Sequence, residues 1–213
     1  MYKLPLHKIV FPPINMANQE GFLAFGGDLS TERLILAYQN GIFPWYDNSN
    51  EILWWAPPQR MVLFPDEIKI SKTMRRLMAK NIYKITENKA FERVINLCAS
   101  SDQRNQNDAW LHTEMIEAYI KLHHKGLASS IEIWNTNNEL VGGLYGVHVK
   151  ENVFSGESMF HLESDTSKLA YIYLAQTAKN KGYEIIDCQM HTDHLASLGA
   201  REIPRAEFMK YLK

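Results

Sequence analysis

The sequence predicts an α+β fold, with a small N-terminal α/β domain over residues 1–62 packed on a larger C-terminal domain over residues 63–213. Three observations predict it. Windows with apolar residues at helical spacing alternate with short runs rich in β-branched and aromatic residues. Late in the chain, three such runs follow one another, and a helix, a strand and a helix come after them, the pattern of a layered α+β fold. Residues 1–62 read differently: Pro5, Pro12, Pro13, Gly21, Gly26, Gly27, Gly41, Pro44, Pro57 and Pro58 punctuate them, and Trp45, Trp54 and Trp55 fall within eleven positions, as in a small cap packed on something larger.

Each element has a local reason. Ser30 is placed to N-cap a helix over Thr31–Asn40, with Leu34, Ile35 and Tyr38 on one face and Gly41 as its stop. Ile70–Lys80 reads as a helix that starts at the cap residue Ser71, and Tyr83–Thr86 as a short strand. Lys89–Ala99 is helical, with Phe91, Val94, Ile95 and Cys98 on one face, and the polar run Ser100–Asp108 is a loop. Thr113 caps a helix through His124, closed by Gly126. Strands follow at Ser129–Trp134, Leu140–Val149 and Asn152–Met159, the first two joined by the turn-forming Asn135-Thr136-Asn137-Asn138. A helix over Ser164–Lys181 ends at Gly182; a strand at Glu184–Gln189 and a helix near His191–Ser197 come next, and Pro204 opens a last helix at its first position. This order is that of an acetyltransferase-like (GNAT-like) core, an analogy of fold that carries no function by itself.

Composition narrows the class. The chain has 213 residues, 46% hydrophobic and 22% charged, which suits a globular chain able to bury a core and argues against disordered, collagenous or coiled-coil architecture. No window approaches the ~18 apolar residues of a membrane span, and Met1–Lys8 lacks a signal-peptide apolar run. Cys98 and Cys188 are the only cysteines, which speaks against a disulfide scaffold and for a reducing cytoplasm. The net charge is −1, yet Arg60–Lys84 holds seven basic residues (Arg60, Lys69, Lys72, Arg75, Arg76, Lys80 and Lys84) against Asp66 and Glu67. That window reads either as a docking face for a polyanion or as a solvated helix face.

Several residues suit chemistry. Strand alternation puts Asp187 and Gln189 on one face and Cys188 on the other. A carboxylate beside a carboxamide can orient an amine and accept its proton; the alternative is that Asp187 caps the next helix. Glu157 stands among apolar neighbours, where a carboxylate needs a partner, either a cationic substrate or a structural Arg or Lys. His161, Cys188, His191 and His194 match no strong zinc signature, and alternation turns Cys188 away from Asp187, against a thiol nucleophile. A coenzyme-A enzyme would want a glycine-rich turn at a helix start. Gly142, Gly143 and Gly146 lie inside a strand instead. Trp45, Trp54, Trp55, Trp110 and Tyr119 are either core residues or rings on which a base can stack.

The run Gly21-Phe22-Leu23-Ala24-Phe25-Gly26-Gly27-Asp28-Leu29-Ser30, followed by Ala37–Trp45, resembles the N-terminal signature of leucyl/phenylalanyl-tRNA–protein transferases. The match continues in order through Leu53–Pro57, Glu117–Tyr119, Leu140–Val147, Gly156–Phe160, Ile186–Gln189 and His194–Ala200, with departures at Ala56, Pro58, Gln59 and Ala109. The resemblance implies transfer of Leu or Phe, sometimes Met, from aminoacyl-tRNA to the N-terminal amine of proteins that begin with Arg or Lys, marking them for N-degron degradation. It implies a small N-terminal domain and a GNAT-like catalytic domain with no metal and no cofactor, in a cytoplasmic monomer whose partners are Leu-tRNA, Phe-tRNA and the acceptor proteins, with no membrane. It puts the family's reactive pair on Asp187 and Gln189 and its glutamate on Glu157, and an apolar side-chain pocket around Leu144, Phe154, Met159 and Ile186, with Ser158 beside it. Trp45, Trp110 and Tyr119 then lie near the terminal adenosine, and the basic window holds tRNA phosphates.

Overall fold

Two sheets organise the chain in the computed structural model, which describes residues 2–46, 51–100 and 111–213. The smaller sheet joins β1 (Tyr2–Leu4), β2 (Phe22–Gly26), β3 (Phe43–Pro44) and β4 (Leu53–Trp55) in the order β1-β2-β4-β3. The larger has seven strands: β5 (Gln59–Leu63), β6 (Lys84–Glu87), β7 (Ala128–Trp134), β8 (Leu140–Lys150), β9 (Val153–His161), β10 (Ile185–Asp187) and β11 (Arg201–Pro204), in the order β11-β5-β10-β9-β8-β7-β6. The helices are α1 (Thr31–Gln39), α2 (Lys72–Lys80), α3 (Phe91–Ser100), α4 (Thr113–His124), α5 (Thr166–Ala178), α6 (Asp193–Ser197) and α7 (Arg205–Tyr211). The run β7-β8-β9-α5-β10-α6 is the expected order of three strands, helix, strand and helix.

Two caps form as their chemistry requires: Ser30 Oγ accepts the Arg33 N–H and Ser71 Oγ accepts the Met74 N–H, each satisfying an orphan donor of the first turn. Thr113 instead is the first helical residue of α4, with His112 at the cap position and no side-chain cap bond. On α1, Arg33 rather than Ile35 completes the buried face, because its guanidinium is held by Asp28 and by the Pro5 and Lys8 carbonyls.

The larger sheet separates two apolar layers. One includes Val94, Ile95, Tyr119, Tyr145, Val147 and Phe208 and runs without interruption into Leu23, Leu34 and Trp54 of the small sheet's layer. The other packs Leu144, Phe154 and Ile186 against Ala170 and Leu174 of α5. Cys98 and Cys188 are both unbridged. No described helix is long and apolar enough to cross a membrane.

The buried Glu132 of β7 shows how the interior holds a carboxylate. It accepts bonds from Thr86 and Ser130 hydroxyls and from the Lys89 and Ala90 N–H groups, tying β6 and the start of α3 to the sheet.

Candidate active site

Strand geometry creates the site where β9 and β10 part. They pair in parallel only at Val153–Ile185, Phe154–Ile186 and Ser155–Asp187. Beyond Asp187 the chain leaves the extended conformation, and Gln189 adopts φ +56°, a left-handed backbone that a residue with a side chain enters at a cost. At the same level β9 loses its alternation. Gly146 pairs with Gly156 and Tyr145 with Ser158, so Glu157 is the extra residue of a β-bulge. Glu157 therefore reaches Tyr119 of α4, while Met159, two residues on, packs in the layer of α5. Gly146 permits the close approach, since a Cβ there would meet the Ser155 carbonyl oxygen and the Phe154 ring.

Around this point the polar groups form one network. Arg60 grips Asp187 with two parallel bonds, Nε to Oδ1 and Nη2 to Oδ2, each 2.7 Å. Asp187 Oδ1 also accepts the Gln189 main-chain N–H at 3.0 Å. The Gln189 carboxamide nitrogen donates to Ser155 Oγ at 2.7 Å and to Glu157 Oε1 at 3.2 Å, which leaves its carbonyl oxygen as the group it offers to a ligand. Ser155 Oγ donates to Glu157 Oε1 at 2.9 Å, Tyr119 donates to Oε2 at 3.0 Å, and the Tyr119 and Tyr38 hydroxyls are bonded at 2.6 Å. Burial pushes the Glu157 carboxyl up to about 7, against the opposing hydrogen bonds of Ser155, Tyr38 and Tyr119, and the Asp187 charge adds to the rise.

Gln189 and Glu157 line a cavity of about 590 Å³. Leu144, Met159 and Leu174 form an apolar wall, Phe43, Pro44 and Trp45 another side, and Met190, His191 and Thr192, with His194 and Leu195 of α6, a third. Trp45 is 40% exposed, and its ring packs edge-on against Trp55, whose indole N–H bonds the Trp45 carbonyl at 2.7 Å.

The structure sorts the residues expected from sequence. Gln189 lies past the end of β10, and its left-handed backbone returns its amide to Ser155 beside Asp187; Cys188 points toward α5, where its thiol meets the Tyr171 hydroxyl at the edge of the same cavity and burial pushes it up to about 12. That leaves Cys188 protonated at neutral pH. Asp187 is 1% exposed with both oxygens engaged, so it touches no ligand directly. Leu144, Met159, Ser158 and Trp45 line the cavity, but Phe154 and Ile186 do not: Phe154 packs on His148 and Tyr183, and Ile186 is fully buried beneath. Tyr119 is fully buried as well, and so is Trp54; neither presents a ring face to a base, and Tyr119 acts through its hydroxyl. Trp110 lies outside the described residues, as do residues 101–108 of the expected Ser100–Asp108 loop. Of the basic window, Lys69, Lys72, Arg75, Arg76, Lys80 and Lys84 are exposed, whereas Arg60 is 1% exposed and bound to Asp187, so it cannot meet a phosphate.

Sequence reasoning passed over Arg60's partner, Ser155, Tyr38 and Phe43. The resemblance blocks contain Tyr38 and Phe43, but nothing local ties either to Glu157 or Arg60. Among the described residues no cluster of three or more His, Cys, Asp or Glu is arranged to hold a metal ion; His191 pairs with Asp193 instead.

A family model described as leucyl/phenylalanyl-tRNA protein transferase matches residues 62–213, and one described as its N-terminal domain matches residues 27–58. A leucyl/phenylalanyl-tRNA–protein transferase of Flavobacterium psychrophilum is 53% identical over 206 residues, covering 97% of both chains. The protein of the same name from Nitrosomonas eutropha is 52% identical over 204 residues, covering 95% of this chain and 86% of the relative. Among solved structures, FemX is similar at a TM-score of 0.47 and 9% identity, over 82% of this chain and 66% of that one.

Proposed function

The chain belongs to the leucyl/phenylalanyl-tRNA–protein transferase family, and from that premise we propose that its aminoacyl ester and its acceptor amine meet in the cavity between β9 and β10. The protein is an aminoacyltransferase that moves Leu or Phe from aminoacyl-tRNA to a protein N-terminus. The observation that carries the reading of the site is a carboxamide bonded to a carboxyl pushed up to about 7, both facing one cavity.

The reaction is aminolysis of an activated ester and needs no further energy source. A free α-amine has a pKa of about 8, so part of it is neutral at pH 7. The Gln189 carbonyl accepts one amine hydrogen and aims the lone pair at the ester carbon. As the C–N bond forms, the Glu157 carboxylate takes the amine proton, and it returns that proton to the ribose oxygen as the C–O bond breaks. Asp187 does not enter this exchange; it holds the Gln189 backbone.

The wall of Leu144, Met159 and Leu174 takes the Leu or Phe side chain. Such a pocket separates methylene-sized differences only about 10–200-fold, which admits Met as a third donor. Trp45 at the mouth offers a ring to the terminal adenosine. The family resemblance supports acceptors that begin with Arg or Lys, entry of the product into N-degron degradation, and a cytoplasmic monomer.

The test is single-turnover transfer of labelled Leu from Leu-tRNA to a peptide beginning with Arg, beside the same peptide N-acetylated. Label on the free amine alone is expected. Label on neither peptide, with the charged tRNA bound, overturns the catalytic reading.

The exposed cations of α2 and its flanks supply the tRNA contact in this proposal. Met74, Leu77 and Met78 turn inward, leaving Lys72, Arg75, Arg76 and Lys80 toward solvent. Replacing Arg75 and Arg76 by Ala is expected to lower the slope of log affinity against log salt by about 1 per cation, with kcat at saturating tRNA nearly unchanged. An unchanged slope in filter binding removes α2 from the interface.

A further inference from the structure

Arg60 sits inside a run of cations yet is withdrawn from solvent, and every part of its guanidinium is engaged. Its Nε and Nη2 edge holds both Asp187 oxygens at 2.7 Å, and Nη1 donates to the Gly41 carbonyl at 3.1 Å. Its two faces are covered by rings, Phe43 at 4.7 Å and Phe208 at 4.8 Å from the guanidinium carbon. Phe43 belongs to β3 and also lines the cavity; Phe208 belongs to α7. The fork thus clamps the small sheet, the end of β10 and the C-terminal helix onto one plane.

What that plane fixes is the Asp187 carboxylate. Asp187 in turn accepts the main-chain N–H of Gln189, the residue held at φ +56°. A left-handed backbone on a residue with a side chain persists only when its surroundings over-determine it. Here the neighbouring restraints are the Asp187 bond and the two bonds of the Gln189 amide to Ser155 and Glu157. If the carboxylate rotates, the first restraint is lost.

We propose that Arg60, plated between Phe43 and Phe208, is a positioning residue that sets the orientation of the Gln189 carboxamide in the transfer reaction. This rests on the reading of Gln189 given above. A lysine at position 60 keeps the charge but has neither the fork nor the flat faces.

The experiment measures single-turnover transfer and tRNA binding for Arg60→Lys, Phe208→Leu, Gln189→Ala and the double variant Arg60→Lys/Gln189→Ala. Arg60→Lys is expected to slow transfer about 10–100-fold, as a displacement of about 1 Å of an aligning group does, with the salt slope of tRNA binding unchanged. Phe208→Leu, which leaves both charges in place, is expected to slow it less, and it carries the test if Arg60→Lys fails to fold. The decisive comparison is the double variant: once Gln189 is Ala, the lysine substitution should add nothing to the rate loss. Rate losses that multiply in the double variant overturn the proposal, since Arg60 would then act by another route. A full rate for Arg60→Lys with only a lower melting temperature also overturns it and leaves Arg60 a structural ion pair. If Gln189→Ala transfers at the full rate, the reading of Gln189 fails first, and the proposal falls with it.

Discussion

Replacing Glu157 by Gln is expected to slow transfer by about 10²–10⁴-fold, the range supplied by a general acid–base group, while charged tRNA binds as before. The pH dependence is the sharper readout. With its carboxyl pushed up to about 7, Glu157 gains its charge as pH rises through that value, so the rate should climb there and climb again near the amine pKa of about 8. The Gln variant should keep the upper step and lose the lower one. The same group has an effect on stability of opposite direction to an ordinary salt-bridged carboxylate. Its folded pKa lies above the usual 4.5, so the folded state holds the proton more tightly, and stability should decline as pH rises from 4.5 to about 7. Thermal melts across that window should show the decline in the parent and a flatter profile in the Gln variant. Identical rate profiles for the two proteins would take Glu157 out of the proton path.

Replacing Asp187 by Ala should damage the fold as well as the reaction. It strands the Arg60 guanidinium, which is buried to the same degree, without its counter-charge. Breaking a buried pair from one side typically costs about 3–5 kcal/mol, and in a chain of this size each kcal/mol lowers the melting temperature by about 2–4 °C. A fall of roughly 6–20 °C is therefore expected, together with a large loss of transfer because Gln189 loses its backbone restraint. Asp187→Asn keeps the shape and should recover part of the stability. A melting temperature within about 2 °C of the parent for Asp187→Ala would contradict the clamp.

Much of this arrangement is written in local sequence. Ser30 and Ser71 stand before apolar periodicity and cap the helices that follow. Phe91, Val94, Ile95 and Cys98 are all buried, as their spacing requires. The expected strand carries Asp187 but ends there, and it is the left-handed turn at Gln189, not alternation, that brings the Gln189 amide to Ser155 and Glu157. What was not legible has a physical cause in each case. β5 and β11 are short strands in segments dense with Pro and mixed polarity, and their pairing partners supply the regularity they lack. The bulge at Glu157 adds a residue that period-two reasoning does not count, so the faces of Glu157 and Met159 could not both be assigned from alternation. Arg60 reads as one more surface cation because its carboxylate partner stands 127 positions away. Tyr119 reads as a possible base platform because burial is a property of the packed α4, not of its own sequence window.

The strand order also sets a timetable for the nascent chain. β5 is made early, yet both of its neighbours, β10 and β11, are made more than 120 residues later. At about 5–20 residues per second, Arg60 waits on the order of 6–25 s for Asp187 to be synthesised. Through that interval the middle of the chain can assemble β7, β8 and β9 as a local antiparallel meander, while β5 keeps two unpaired edges and a buried-type cation with no counter-charge. The ion pair that organises the site thus forms only after β7, β8 and β9 have been made, and the larger sheet closes around β5 only once β10 and β11 have followed.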